Sequence, residues 1–232
     1  MRRALLVAAS ILAMGIPQSL AGSVFLSNSY YEPQMLLPPP PADGSPVQRA
    51  EMDEHHRIEQ TRTKAQFDSA MTDETTESVL AFAGVMGPGF DLDKLPKTKQ
   101  LFDDVRAEEK NAAKLAKNYF KRNRPWIADP KLVACATDDE PQSSYPSGHS
   151  TMGYAMAVVL AKLAPEKADA IMRRAQDYAH NRLVCSMHYE SDIVAGEALG
   201  TTVAAEMMTT AGFREEFDAA RAELIAAHVI AD

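Results

Sequence analysis

The sequence reads as an all-α protein, and three observations predict it. From Val47 onward apolar residues recur at helical spacing. No stretch alternates polar and apolar residues over a useful strand length. Short breaks carrying proline or glycine separate the helical runs. A chain of 232 residues, 46% of them hydrophobic, is long enough to bury one sizeable core. It contains no internal repeat.

Residues 1–21 read as a secretory signal. Arg2 and Arg3 precede an apolar run over residues 4–16, and Ser19, Leu20 and Ala21 form a cleavage site, with the cut after Ala21. The competing reading is a transmembrane anchor, but the run is short for a bilayer and no cysteine follows to carry a lipid. The expectation is a periplasmic or secreted protein that has no contact with membrane after cleavage. Its formal charge of −8 becomes more negative once Arg2 and Arg3 leave. An acidic surface repels nucleic acid and anionic lipid, so neither is expected as a partner, and an anionic substrate requires positive charge concentrated locally.

Residues 22–48 are rich in proline and tyrosine, with four prolines at 38–41. They are expected to form an extended arm, lying on the body or on a neighbouring subunit, or else a mobile lead-in. The helical body then occupies residues 49–232, with loops expected at 84–89 and 129–146. The two cysteines remaining there, Cys135 and Cys185, fit a disulfide in an oxidising compartment or two buried thiols. A disulfide closing a loop of that length stabilises by about 4 kcal/mol on the chain-entropy argument.

Three blocks carry the chemistry. In the first, residues 117–125 (KNYFKRNRP), Lys117 and Arg124 stand seven apart on a helix expected to end at Pro125, so both face one side. Taken alone, a solvated charged face explains this block better, and Lys121 and Arg122 are assigned to such a face. The second block is PSGH at 146–149. After it Met152, Ala155, Met156, Val159, Leu160 and Leu163 mark an amphipathic helix starting near Ser150. Ser147, Gly148 and His149 thus sit at a helix N-terminus, where unpaired N–H groups and the positive dipole end suit a phosphate. An ordinary serine cap accounts for everything there except the histidine.

The third block covers residues 182–192 (RLVCSMHYESD). Arg182 continues the core face of Ile171, Ala175 and Tyr178, so it needs an anionic partner. His188 and Asp192, four apart on a further helix, place a carboxylate against one ring nitrogen and turn the other toward the site. A metal site or a simple buried pair also fits that spacing. The neighbouring blocks are cationic and add no further carboxylate, which favours an anion over a metal.

Taken in order, K-x6-RP, PSGH and R-x5-H-x3-D resemble the type-2 phosphatidic acid phosphatase superfamily, which shares its site with vanadium haloperoxidases. The signal, the size and the LLPPPP run at 36–41 are most similar to class A bacterial non-specific acid phosphatases. The resemblance implies a helical bundle of the acid phosphatase/vanadium haloperoxidase type, assembled as a homodimer or higher oligomer. It implies hydrolysis of small phosphomonoesters with His188 as nucleophile, Asp192 orienting it and His149 as general acid. Lys117, Arg124, Arg182, Ser147 and the Gly148 N–H are the implied phosphate ligands, with no metal and no cofactor. Transfer to other alcohols is the implied side activity, and an acidic optimum follows if His149 must be protonated while His188 stays neutral. Asn181 departs from the Ser or Gly usual before the third-block arginine. A haloperoxidase, a lipid phosphate phosphatase and a non-catalytic phosphate binder are the alternatives. Haloperoxidase chains are usually longer, a lipid enzyme usually carries membrane helices, and every catalytic position of the motifs is filled.

Overall fold

The computed structural model describes residues 24–27, 30–137 and 140–232; the signal expected at 1–21 lies outside the described residues. All the regular structure among them is helical. A single turn, α1 (Pro33–Leu36), is followed by α2 (Pro46–Thr61) and α3 (Lys64–Thr75). A 3-10 turn at Val79–Phe82 leads into the short α4 (Ala83–Met86) and then the long α5 (Pro96–Phe120). After α6 (Pro125–Ala128) come α7 (Gly148–Leu163), α8 (Ala168–Val184), α9 (Glu190–Met207) and α10 (Ala211–Ala226).

Local chemistry sets the boundaries. Ser45 caps α2 through the Gln48 N–H, with Pro46 in the first turn, where its missing N–H costs nothing. Thr63 and Gln66 form a reciprocal capping box on α3. The long α5 stops at Phe120 because Lys121 adopts a left-handed conformation, φ 50°.

The core helix is α7, buried on nearly every side, and the apolar face expected for it is the one found. It lies against α8, α9 and α5, while α10 packs against α5. Two glycines let α9 press onto α7. A Cβ on Gly200 would stand 2.2 Å from the Thr151 carbonyl oxygen, and one on Gly196 would stand 2.6 Å from that of Ser147. Both obstacles are backbone, so relief requires the helices to separate. Gly200→Ala is therefore expected to destabilise by about 3 kcal/mol, the upper end of ordinary overpacking. The urea midpoint measures this, and an unchanged midpoint contradicts the close contact.

The expected arm is corrected in one respect. Residues 33–36 make a helical turn, because Pro33 occupies the first helical position, where proline is tolerated. The segment packs on its own body. Tyr31 and Leu37 are buried in the main core, and the Tyr145 hydroxyl donates to the Pro38 carbonyl at 2.7 Å. The Val24 and Phe25 N–H groups donate to the buried Glu108 carboxylate at 2.7 and 2.8 Å.

Cys135 and Cys185 are joined, with Cα atoms 5.0 Å apart. The link ties the irregular stretch after α6 to the end of α8, and the Cys135 N–H also donates to the Cys185 carbonyl at 3.0 Å.

Candidate active site

Lys117, Arg124, Gly148, His149 and His188 line one cavity of about 370 Å3. Four separate chain segments deliver them. Lys117 lies in the last turn of α5, and Gly148 is the first residue of α7. A Cβ on Gly148 would meet the Lys117 Nζ at 3.4 Å, so the glycine leaves the α7 N-terminus open to the ammonium.

Arg124 reaches the cavity by a route the sequence did not suggest. Since α5 ends at Phe120, Arg124 is not on the Lys117 helix face; it precedes Pro125 in extended conformation, φ −68° and ψ 153°. The steric conflict between a proline and its predecessor's α conformation explains the geometry. Its guanidinium is buried and donates through Nη1 to the Met187 carbonyl at 2.9 Å.

His188 is held in one tautomer. Its Nδ1 lies 2.7 Å from the Ser144 carbonyl, which only accepts, so Nδ1 carries the proton and Nε2 presents a lone pair. Arg124 Nη1 stands 2.8 Å from Nε2 and donates to that lone pair. Here the expected His–Asp pair is corrected in detail. The α9 helix begins at Glu190, after His188, so the two residues do not share a helical turn. Asp192 Oδ2 is 3.6 Å from His188 Nδ1, beyond hydrogen-bonding reach, and acts beside the Ser144 carbonyl instead of alone.

Asp192 is anchored elsewhere. Its carboxylate accepts from the Ser144 hydroxyl at 2.5 Å, the Tyr189 N–H at 2.9 Å and Arg122 Nη1 at 2.7 Å. Its own carbonyl accepts from the Ser147 N–H at 2.9 Å, which fastens the PSGH turn to the start of α9. Arg122, expected on a solvated face, is instead 4% exposed. It also donates to Ser191 Oγ and Glu51 Oε2, both at 2.7 Å, and its guanidinium carbon lies 4.1 Å from the centre of the Tyr189 ring. Its carboxylate partners lie 70 and 71 residues away in sequence, so no local pattern marked them.

Arg182 faces the core as its phase predicted, and the anionic partner it requires is Glu74. Its Nε and Nη2 have no protein partner among the described residues. Glu74 sits in the last turn of α3, and its carbonyl is one of those a helix end leaves unpaired. His149 Nε2 lies 3.1 Å from that carbonyl, so this nitrogen carries the proton, and the ring stacks on Tyr178 with centroids 5.7 Å apart. Ser147 is the cap of α7, accepting from the Ser150 N–H at 3.3 Å, and is fully buried. Arg182, Asp192 and Ser147 thus stand behind the cavity wall that the other five form. Glu109, another wall residue, was not read from the sequence. Burial pushes its carboxyl up to about 7 against the pull of Arg106.

Both site histidines are held well below the usual imidazole range. Burial is the larger cause in each, followed by Arg124, Arg182, Lys117 and His149 for His188, and chiefly by Arg182 for His149. His188 therefore remains neutral in moderate acid.

A third histidine has a consequence for stability. His55 on α2 is buried against Tyr189, ring centroids 5.7 Å apart, and burial lowers it to about 4 from 6.5. The unfolded chain takes this proton first as pH falls, so stability is lost between pH 6.5 and 4, by about 3 kcal/mol for His55. His55→Gln is expected to flatten the decline in urea stability between those pH values. An identical decline in both proteins contradicts the assignment.

Comparisons with known proteins identify the family. The PAP2 superfamily profile matches residues 111–216, which contain all three blocks. Acid phosphatase of Zymomonas mobilis is 32% identical over 226 residues, covering 92% of this chain and 86% of its own. Non-specific acid phosphatase of Salmonella typhimurium is 28% identical over 199 residues, 82% of this chain and 79% of its own. Among solved structures, the transmembrane PAP2-type phosphatidylglycerolphosphate phosphatase of Bacillus subtilis shares the fold, with TM-score 0.51 and 18% identity over 75% of this chain and 89% of its own. The sequence relationship, the all-helical fold and the gathered blocks lead to one conclusion: the chain belongs to the bacterial non-specific acid phosphatases of the PAP2 superfamily.

Proposed function

We propose that this protein is a periplasmic or secreted acid phosphatase that hydrolyses a broad range of small phosphomonoesters, without a metal, through a phosphohistidine on His188. The observation that carries the reading is convergence: the His188 lone pair, His149, Lys117, Arg124 and the α7 N-terminus all meet one cavity. The phosphate enters with its oxygens on Lys117, Arg124 and the Gly148 N–H, and Arg182, with two unpartnered nitrogens, adds its charge from behind the wall. Ser147 supports that turn from behind. His188 Nε2 attacks phosphorus in line with the ester oxygen. The Nδ1–H bond to Ser144, with the Asp192 charge beside it, stabilises the imidazolium that forms.

The ester oxygen leaves with a proton from His149, which then draws a proton from the water that attacks the phosphohistidine. An acceptor alcohol in place of that water gives transphosphorylation. Charge spreads over the phosphoryl oxygens in this transition state, and Lys117 and Arg124 meet it directly with Arg182 behind them. Acid favours the protonated His149, and the bound phosphate anion counteracts the cations that depress it. At His188 the Arg124 N–H points at Nε2 and disfavours a proton there, so burial and Arg124 together keep its lone pair. Secretion agrees with the joined Cys135 and Cys185.

A lipid phosphate substrate is the second reading. Decaprenylphosphoryl-5-phosphoribose phosphatase of Mycobacterium tuberculosis is 31% identical over 103 residues, 44% of this chain and 55% of its own. Among the described residues no helix is long and apolar enough to cross a membrane. Hydrolysis of a chromogenic phosphomonoester across pH, with and without chelator, tests the first reading. Activity with an optimum below pH 6.5 and no response to chelator is expected. Loss of activity with chelator overturns the metal-free mechanism, and faster hydrolysis of phosphatidate in vesicles favours the lipid reading.

A further inference from the structure

The cavity wall carries five cations, Arg106, Lys110, Lys114, Lys117 and Arg124, against the four carboxylates Glu74, Glu77, Glu109 and Glu140. Arg106, Lys110, Lys114 and Lys117 follow one another on α5 at intervals of four, four and three, so they share a face, and all four line the cavity. Their circumstances differ. Arg106 is committed to Glu77 and Glu109, and Lys117 lies against Gly148 at the phosphate site. Lys110 and Lys114 are exposed and form no ion pair among the described residues.

Lys97, Lys131 and Lys162 are likewise exposed without a salt bridge among the described residues, but none of them lines the cavity. Lys99 on the same helix pairs with Asp103, and Lys64 on α3 pairs with Asp68, each within one turn. Around Lys110 the residues four away are Arg106 and Lys114, both cationic. Like charges at that spacing destabilise a helix. The wall's carboxylates relieve them little: Glu77 and Glu109 are tied to Arg106, Glu74 is tied to Arg182, and Lys110 exerts only a minor pull on Glu109. Glu140, the remaining wall carboxylate, is a single charge against two. In a chain of net charge −8, an uncompensated pair of lysines inside an anion-binding cavity has one evident use.

We propose that Lys110 and Lys114 form a second anion subsite, and that the preferred substrates carry a second phosphate separated by several ångströms from the one that is cleaved. This inference rests on the phosphatase reading and narrows its substrate class. The helix rise sets the span: Lys114 lies about 4.5 Å and Lys110 about 10 Å along the axis from Lys117. That range fits phosphates at two ends of a short polyol or sugar better than two directly linked phosphates. The cavity volume of about 370 Å3 leaves room for such a linker.

The test compares wild type with K110Q/K114Q on hexane-1,6-diol bisphosphate, hexyl phosphate and a chromogenic monophosphate at low ionic strength. Two exposed contacts are expected to raise wild-type kcat/KM for the bisphosphate by about three- to tenfold over hexyl phosphate, beyond the factor of about two for its two ends. The double variant is expected to lose that preference and keep its rate on both monophosphates. A preference that survives in the variant, or an equal fall on all three substrates, overturns the subsite. Calorimetry with butane-1,4-bisphosphonate and butylphosphonate provides an arm independent of turnover. If the protein hydrolyses nothing, the phosphatase reading fails, while tighter bisphosphonate binding that K110Q/K114Q abolishes still establishes the subsite. Equal binding of the two phosphonates refutes it.

Discussion

His188→Ala is expected to lower kcat/KM on a chromogenic phosphomonoester by at least about ten-thousandfold, the scale seen when a nucleophile is removed from a concerted site. The expectation follows from what the ring does here. Its Nε2 presents an uncharged lone pair to Arg124, and the Ser144 carbonyl fixes the tautomer that exposes it. Alanine removes the proposed bond to phosphorus and leaves Lys117 and Arg124, the proposed phosphate ligands, in place. The variant should therefore still bind inorganic phosphate, which calorimetry measures alongside the rate. Burial of an unpaired Ser144 carbonyl costs about 1–3 kcal/mol, so the comparison is made below the lowered melting temperature. A variant that retains more than about a tenth of the wild-type rate contradicts the nucleophile assignment.

Arg122→Met is expected to have the largest effect on stability. One guanidinium holds Glu51 from α2 and both Ser191 and Asp192 from α9, and it lies over Tyr189. Methionine fills much of the volume but leaves two buried carboxylates without their countercharge, a loss of about 3–5 kcal/mol. The pH dependence has a definite sign. Burial already pushes Asp192 up, and Arg122 is the first of the groups opposing that shift. Without Arg122 the carboxyl rises further, so the folded state holds its proton more tightly than the unfolded chain does. The destabilisation is therefore greatest at neutral pH and smaller in acid as Asp192 takes up its proton. Urea unfolding at pH 7 and pH 5 measures both values, and an equal loss at the two pH values contradicts the account. Activity falls too, since Asp192 loses the contact that fixes it beside His188.

These two residues also show where the sequence is legible. His188, His149 and Arg182 stand out because chemistry-bearing residues recur at helical phase beside strong punctuation, and α7 and α8 follow their apolar stripes closely. Arg122 stands in the same block as Lys117, yet its partners come from α2 and α9. Only the tertiary fold reveals that it is buried. The shared face read for Lys117 and Arg124 fails for a local reason: a left-handed Lys121 ends the helix, and a lysine gives no sign of that conformation. Glu74 was invisible for a third reason. It meets Arg182 and His149 only because α3 ends against α8 and α7, and its own neighbours in sequence are ordinary. The one-turn helix at 33–36 was hidden by its proline, which excludes a helix interior and not a helix start.

The central claim is that His188 carries the phosphoryl group and His149 releases it. Rapid acid-free quenching of wild type and His149→Ala with a good leaving-group ester, followed by peptide mass spectrometry, tests this most directly. The account predicts one added phosphoryl group on the peptide containing His188, accumulating further in His149→Ala because activation of water is impaired. A phosphoryl group on any other residue, or turnover with no phosphorylated protein under conditions that preserve phosphohistidine, contradicts it.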